Sequence, residues 1–276
     1  MPELDTLPPT VRLPVLFVGH GSPMNVITEN PWRRQWQAIG QVLRDLPSPP
    51  RLVLCVSAHW MTRGWWLTAM PKPQTIHDFG GFPQALFDVQ YPAPGWPEAA
   101  RSIAQAVAQP GSEQALGLDE GEWGLDHGCW GVLQPMLPEA DIPVIQLSVD
   151  PGRSGADHLA LGRRLAGLRE RGVLIVASGN VVHNLRALRR EVPDNQAYEW
   201  AIAFDRTVAE ALSAGQPERL TDWAALGDAA QLSHPSPEHW LPLMVAAGAA
   251  GEGAVPEYFN EGFQAASIGM RSMLWA

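Results

Sequence analysis

The sequence predicts an α/β domain, a central sheet that is largely parallel or mixed, with helices on both faces. Three observations lead there. Short apolar, β-branched runs recur, helical patterns alternate with them, and no long polar linker interrupts the series. The first run, residues 13–18, has the length of a buried strand and ends on Gly-His-Gly. Residues 30–46 open on Asn-Pro, an N-cap followed by the helical position where proline fits, and predict the first helix. Residues 52–56 read as the second strand. A Pro-Gly turn then introduces a helix over 96–108, and residues 143–149 read as the third strand. Residues 157–171 space Leu159, Leu161, Leu165 and Leu168 along a helix, and 173–177 form the fourth strand. Two further helices are expected over 198–213 and 239–249. The proline-rich stretches at 47–50, 71–73 and 91–97 are too short for free linkers, so a single domain over 1–276 is expected.

Composition narrows the function classes. With 46% hydrophobic and 17% charged residues the chain has the profile of a globule with a substantial core. The 29 acidic against 19 basic residues leave a formal charge of −10, a field that repels phosphate backbones and anionic lipid, so neither nucleic acid nor membrane is expected as a partner. The two cysteines, Cys55 and Cys129, show no redox or disulfide spacing and read as reduced thiols. The N-terminus carries acids and prolines where a secretory leader needs basic residues and an apolar block, which predicts a cytoplasmic protein. No apolar run approaches the ~20 residues of a membrane span.

In open α/β sheets, ligands sit beyond the carboxyl ends of the strands. Three predicted strand ends run into histidine: Gly19-His20-Gly21, Ser57-Ala58-His59 and the stretch from Ser178 to His183. Of the 8 histidines, only His158 lies in an ordinary amphipathic helix pattern. The others, His20, His59, His77, His127, His183, His234 and His239, sit in segments rich in Gly, Pro, Trp or Asn. Neutral imidazoles from separate segments converging on one sheet edge are the ingredients of a metal site. Other chemistries lack their signatures. There is no phosphate-binding G-x-x-x-x-G-K-[ST] or G-x-G-x-x-G loop, no G-x-S-x-G nucleophile elbow and no H-E-x-x-H.

Six motifs together resemble the class III extradiol ring-cleaving dioxygenases, in the DOPA 4,5-dioxygenase-like branch. They are GHGSPM at 19–24, SAHW at 57–60, TIHDFGGFP at 75–83, GLDHGCW at 124–130, SGNVVHNL at 178–185 and HPSPEHWLPL at 234–243. The resemblance implies a metal held by His20, His59 and His239, with an imidazole at the position where the wider family has a glutamate. It implies an acid–base role for His183, which can also fall close enough to serve as a fourth ligand, and a hydrogen-bonding catalytic role for His127. Fe(II) is the metal expected for activity, because ring cleavage needs a redox-active centre with open positions, and Zn2+ is a possible bound metal. The implied partners are a small catechol and dioxygen, and the product a muconic semialdehyde.

The remaining candidates surround that set. His234 is expected either against the substrate or behind a ligand. His77, with Asp78, is expected to orient a lid or the polar tail of the substrate, or to make a turn contact. Asp126 is a candidate for fixing the tautomer of His127. Trp60, Trp130 and Trp240 flank proposed site histidines and suggest an aromatic-walled pocket, with Trp60 at the substrate. Two other readings stand beside the dioxygenase: a metal-binding protein of the same fold without oxygenase activity, and a zinc-dependent hydrolase using metal-bound water.

Overall fold

A computed structural model describes residues 7–276. The acidic residues of the first six positions, read above against a leader, lie outside the described residues. Among the described residues there are ten strands: β1 Val15–Gly19, β2 Leu52–Met61, β3 Trp66–Thr68, β4 Gly117–Asp119, β5 Val144–Val149, β6 Val173–Gly179, β7 Glu257–Phe259, β8 Phe263–Gln264, β9 Ile268–Gly269 and β10 Ser272–Trp275. The α-helices are α1 Pro31–Arg44, α2 Gln84–Phe87, α3 Pro97–Ala106, α4 His127–Met136, α5 Gly155–Leu165, α6 Glu199–Ser213, α7 Asp228–Ser233 and α8 Leu241–Ala250.

Eight strands make one mixed sheet in the order β4-β3-β5-β2-β6-β1-β10-β7, and β8 pairs with β9 in a separate hairpin. The central four, β5-β2-β6-β1, are parallel, while β3 and β10 join them antiparallel at either side. Every residue of β1, β5 and β6 is buried, which is what a strand covered on both faces requires. Their side chains alternate between two cores. Val15, Phe17, Leu54, Ile145 and Ile175 face one side, where α3, α5, α6 and α8 contribute. Leu16, Val18, Cys55 and Val176 face the other, against Trp36 and Leu43 of α1 and Trp130 and Leu133 of α4. Both cysteines are free thiols within this second core.

The expected elements are present with shifted ends. The helix expected over 157–171 begins at Gly155, because Ser154 and Asp157 close a reciprocal capping box, and its last part tightens into a 3-10 turn over Ala166–Arg171. The helix expected from 239 begins at Leu241, with Pro242 in its first turn, so His239 stands just ahead of it. Strand β2 continues past 56 to Met61. Val56 pairs with Leu147 and Met61 with Val149, so β2 bulges between these points and the bulge carries His59.

Strand β6 lies between β1 and β2 although it follows both in sequence. The carboxyl ends of the three strands therefore meet at one edge. The start of α8 is tied to the same place, because Asn180 N–H donates to the His239 carbonyl at 3.0 Å.

Candidate active site

Each site histidine is held by the backbone before its ring does anything. His20 extends β1 by one residue, its N–H donating to the Gly179 carbonyl at 3.1 Å. Gly21 then adopts φ of 62°, a left-handed turn suited to glycine, and Ser22 caps the short 3-10 turn Pro23–Val26. His127 is the first residue of α4, immediately after the cap Asp126. His183 lies in the loop after β6, its N–H on the Ser233 carbonyl at 2.9 Å.

The rings of His20, His59 and His239 form a near-equilateral triangle with centroids 5.1, 5.1 and 5.0 Å apart. One donor atom from each lies within 4.8 Å of the others. All three Nδ1 atoms are engaged outside the triangle: His20 with Ser178 Oγ at 3.0 Å, His59 with Asp78 Oδ2 at 3.0 Å, His239 with Glu238 Oε1 at 3.3 Å. Such partners fix the tautomer that leaves Nε2 as the free donor. The Nε2 atoms of His20 and His59 face each other at 3.4 Å, and His239 Nε2 is buried with no hydrogen-bond partner. Opposed lone pairs repel unless a cation stands between them. Two ligands each about 2.1 Å from one cation sit roughly 3.0–3.4 Å apart. The residues therefore fit a metal ion.

Electrostatics keeps most of these rings neutral. Burial, followed by the charges of neighbouring imidazoles, holds His20 and His239 well below the ordinary histidine value. Burial pulls His59 the same way, but the Asp78 hydrogen bond and the charges of Asp126, Asp78 and Glu238 outweigh it and raise His59. Burial, then the neighbouring histidines, push His183 down to about 3. His127 is lowered by burial and by His59 against the opposing pull of Asp78.

Two further histidines flank the triangle. His183 stacks flat on His239, centroids 3.5 Å apart and planes 6° from parallel, so it sits beside the three-nitrogen set and not inside it. His127 packs at 3.9 Å from His59. Both line a cavity of about 630 Å³ whose floor is the triangle; Phe79, Phe82 and Leu188 form apolar wall, and Arg190 and Asp194 stand among its lining.

Several expectations are corrected. Trp60 does not line the cavity; it is buried and stacked on Trp123, because successive strand residues point to opposite faces and His59 takes the site face. Trp130 and Trp240 are core residues for the same want of access, and the aromatic walls are phenylalanines. His234 is turned away from the cavity, its Nε2–H on the Val181 carbonyl at 2.8 Å among Phe204, Trp223 and Trp240. His77 makes the turn contact, donating to the Val89 carbonyl at 2.9 Å. Asp126 is occupied as the α4 cap, accepting from Cys129 N–H, Ser57 Oγ, Trp123 Nε1 and Gln146 Nε2. The carboxylate on His127 is Asp78. Its Oδ1 accepts both from His127 Nδ1 at 2.8 Å and from the His127 backbone N–H at 2.9 Å, while Oδ2 holds His59. The sequence signal for this is the acid in TIHDFGGFP, expected with His77 at a lid, at the substrate's polar tail or in a turn contact. Ser178 stands at the head of SGNVVHNL with nothing in the pattern to pair it with His20, and Arg190 and Asp194 carry no sequence signal.

No helix among the described residues is long and apolar enough to cross a membrane. A family model described as the catalytic LigB subunit of aromatic ring-opening dioxygenase matches residues 14–273. A 4,5-DOPA dioxygenase extradiol of Escherichia coli is 45% identical over 98% of this chain and 97% of its own length. The enzyme of the same name from Beta vulgaris is 38% identical over 88% of this chain and 89% of its own. The crystal structure of an uncharacterized Escherichia coli protein superposes with a TM-score of 0.80 at 38% identity, covering 96% of this chain and all of that one. With its histidine-floored cavity at the sheet's carboxyl edge, the chain belongs to the family of the catalytic LigB subunit of aromatic ring-opening dioxygenases, as an extradiol ring-cleaving enzyme.

Proposed function

We propose that the protein opens the ring of a small catechol bearing a polar side chain, with dioxygen as co-substrate and Fe(II) held by His20, His59 and His239. The observation that carries this is the trio of buried imidazoles whose outward nitrogens are all engaged and whose remaining nitrogens converge on the cavity floor. Bound iron supplies the redox chemistry that joins a catechol to dioxygen, which Zn2+ cannot. The relatives compared above are named for DOPA, a catechol with an amino-acid tail. Phe79, Phe82 and Leu188 suit the flat ring, and Arg190 and Asp194 offer one charge of each sign to a carboxylate and an ammonium.

The two flanking histidines handle protons. His183, which lines the cavity stacked on His239, is placed to take a proton from a catechol hydroxyl and return it as the ring opens. His127 has committed Nδ1–H to Asp78, leaving Nε2 as its one free site toward the cavity. The test is anaerobic reconstitution of metal-free protein with Fe(II) or Zn2+, then DOPA, then oxygen. A yellow semialdehyde is expected from the iron form alone. Oxygen-independent turnover by the zinc form would favour a hydrolase, and catechol binding without oxygen uptake a binding protein. His183→Phe should retain metal and catechol while kcat falls on the order of 100-fold or more; full activity in that variant would remove the acid–base role.

A further inference from the structure

One pair of amides joins the turn after His20 to the β8–β9 hairpin. Asn25, 2% exposed, and Gln264 of β8 donate to each other, Asn25 Nδ2 to Gln264 Oε1 at 3.0 Å and Gln264 Nε2 to Asn25 Oδ1 at 2.9 Å. They lie 239 residues apart in sequence. The same atoms reach further. Asn25 Nδ2 also donates to the His20 carbonyl at 3.2 Å, and Gln264 Oε1 also accepts the Ser22 N–H at 3.1 Å. These backbone partners fix which end of each amide is oxygen and which nitrogen.

A short turn does not need so much. Ser22 already caps it with its own hydroxyl, on Met24 N–H. What the two amides add is a grip on His20, whose N–H is held by the Gly179 carbonyl and whose carbonyl is held by Asn25. The next residue, Gly21, is covered as closely: a Cβ there would fall 2.4 Å from Gln264 Oε1. The hairpin that presents Gln264 is itself pinned. Its Phe263 and Ala265 carbonyls accept from Asn195 and Arg189 N–H, each at 2.9 Å, and Gly269 N–H donates to the Val182 carbonyl at 2.8 Å. Its turn is strained, with Ala265 and Ala266 at φ of 47° and 65°, left-handed values that alanine adopts only at a cost. Such strain persists where the surroundings over-determine it, and it gathers at functional sites.

Resting on the reading of His20 as a metal ligand, we propose that Gln264 is a positioning residue for the metal. Through Ser22 and Asn25 it fixes the backbone on either side of Gly21, and so the place of His20 Nε2 in the triangle. Gln264 lines the cavity, yet its oxygen is spent twice on this clasp. Its action is on the ligand, not on the substrate.

The test uses Gln264→Met, which removes both polar atoms at nearly constant volume, and Gln264→Glu, which keeps the oxygen that Ser22 and Asn25 share. Zinc affinity of the metal-free full chain, read by chelator competition, should fall about tenfold in Gln264→Met and return to within about threefold of the unaltered protein in Gln264→Glu. Co2+ in the same proteins reports ligand geometry, and its visible band should shift in the first variant and recover in the second. An unchanged zinc affinity in Gln264→Met, or an equal fall in both variants, would overturn the proposal. So would a rise confined to the KM for DOPA in the iron-loaded enzyme, the result a substrate contact gives. Should Gln264→Met fail to fold, Asn25→Leu takes its place, and an unchanged zinc affinity there overturns it as well. If the unaltered iron protein takes up no oxygen with DOPA, the dioxygenase reading falls, while the zinc series still decides whether Gln264 positions His20.

Discussion

Asp78 is the side chain on which two of the site histidines lean. One carboxylate oxygen orients His59, a proposed ligand, and the other orients His127, so the two rings share one anchor. Burial alone would raise its pKa, but the hydrogen bonds from His127 and His59 win and hold it far below the usual carboxylate value. Asp78→Asn keeps the shape yet presents an NH2 to one of the two imidazoles, forcing that ring to give up its tautomer. Metal affinity should fall about 10–100-fold, as for other lost outer partners, and chelator competition on the folded variant measures it. An affinity equal to that of the unaltered protein would mean the anchor is ornamental. The histidines themselves were legible because they follow apolar runs and turn residues. Asp78 was half-legible: its position stood out, but its partner His127 lies 49 residues away, and only the tertiary path of the loop brings them together. Trp60 and His234 misled for the opposite reason, since closeness in sequence to a site residue says nothing about which face a side chain takes.

Among elements, the four long apolar runs announced the parallel centre of the sheet, and a strand buried on both faces needs little else to be recognised. The flanking strands β3, β4, β7 and β10 were not legible, having three or four residues each and too few alternations to form a pattern. Helix α4 was hidden by its composition, with Gly128, Gly131 and Pro135 inside it; packing between the sheet and α1 supplies what propensity withholds. The contact between the end of β6 and the start of α8 shows how elements aim a ligand. A Cβ at Gly179 would fall 2.4 Å from the His239 carbonyl oxygen. Gly179→Ala should therefore push His239 outward and spoil the triangle without removing any imidazole. Turnover at fixed iron should drop on the order of 100-fold, the effect of displacing a reacting group by about an ångström. The readout is kcat beside a far-ultraviolet spectrum and Tm; a variant of normal kcat would show that the start of α8 can move freely.

At the scale of the whole molecule, stability should depend on acidity through two histidines away from the metal triangle. His158 of α5 and His234 ahead of α8 are both buried, and burial lowers each to about 4 from 6.5. His158 is sealed between the Ser154 carbonyl and the Asp150 N–H, and His234 donates to Val181. Because the folded values lie below the unfolded one, the unfolded chain takes up these protons first. The stability they allow is whole above pH 6.5 and is lost as pH falls from there toward 4. Between pH 7 and pH 5 each shift corresponds to about 2 kcal/mol, together a large share of the 5–15 kcal/mol typical of a domain. Measured on metal-loaded protein, so that the ligand histidines stay occupied, urea unfolding at the two pH values should show a loss of at least about 4 kcal/mol from these two rings, with His183, also lowered by burial, adding to it. His158→Gln, which removes one titrating ring, should lower stability at pH 7 yet reduce its fall toward pH 5 by about 2 kcal/mol. A stability that stays level down to pH 5 would mean that neither ring is kept neutral by its surroundings.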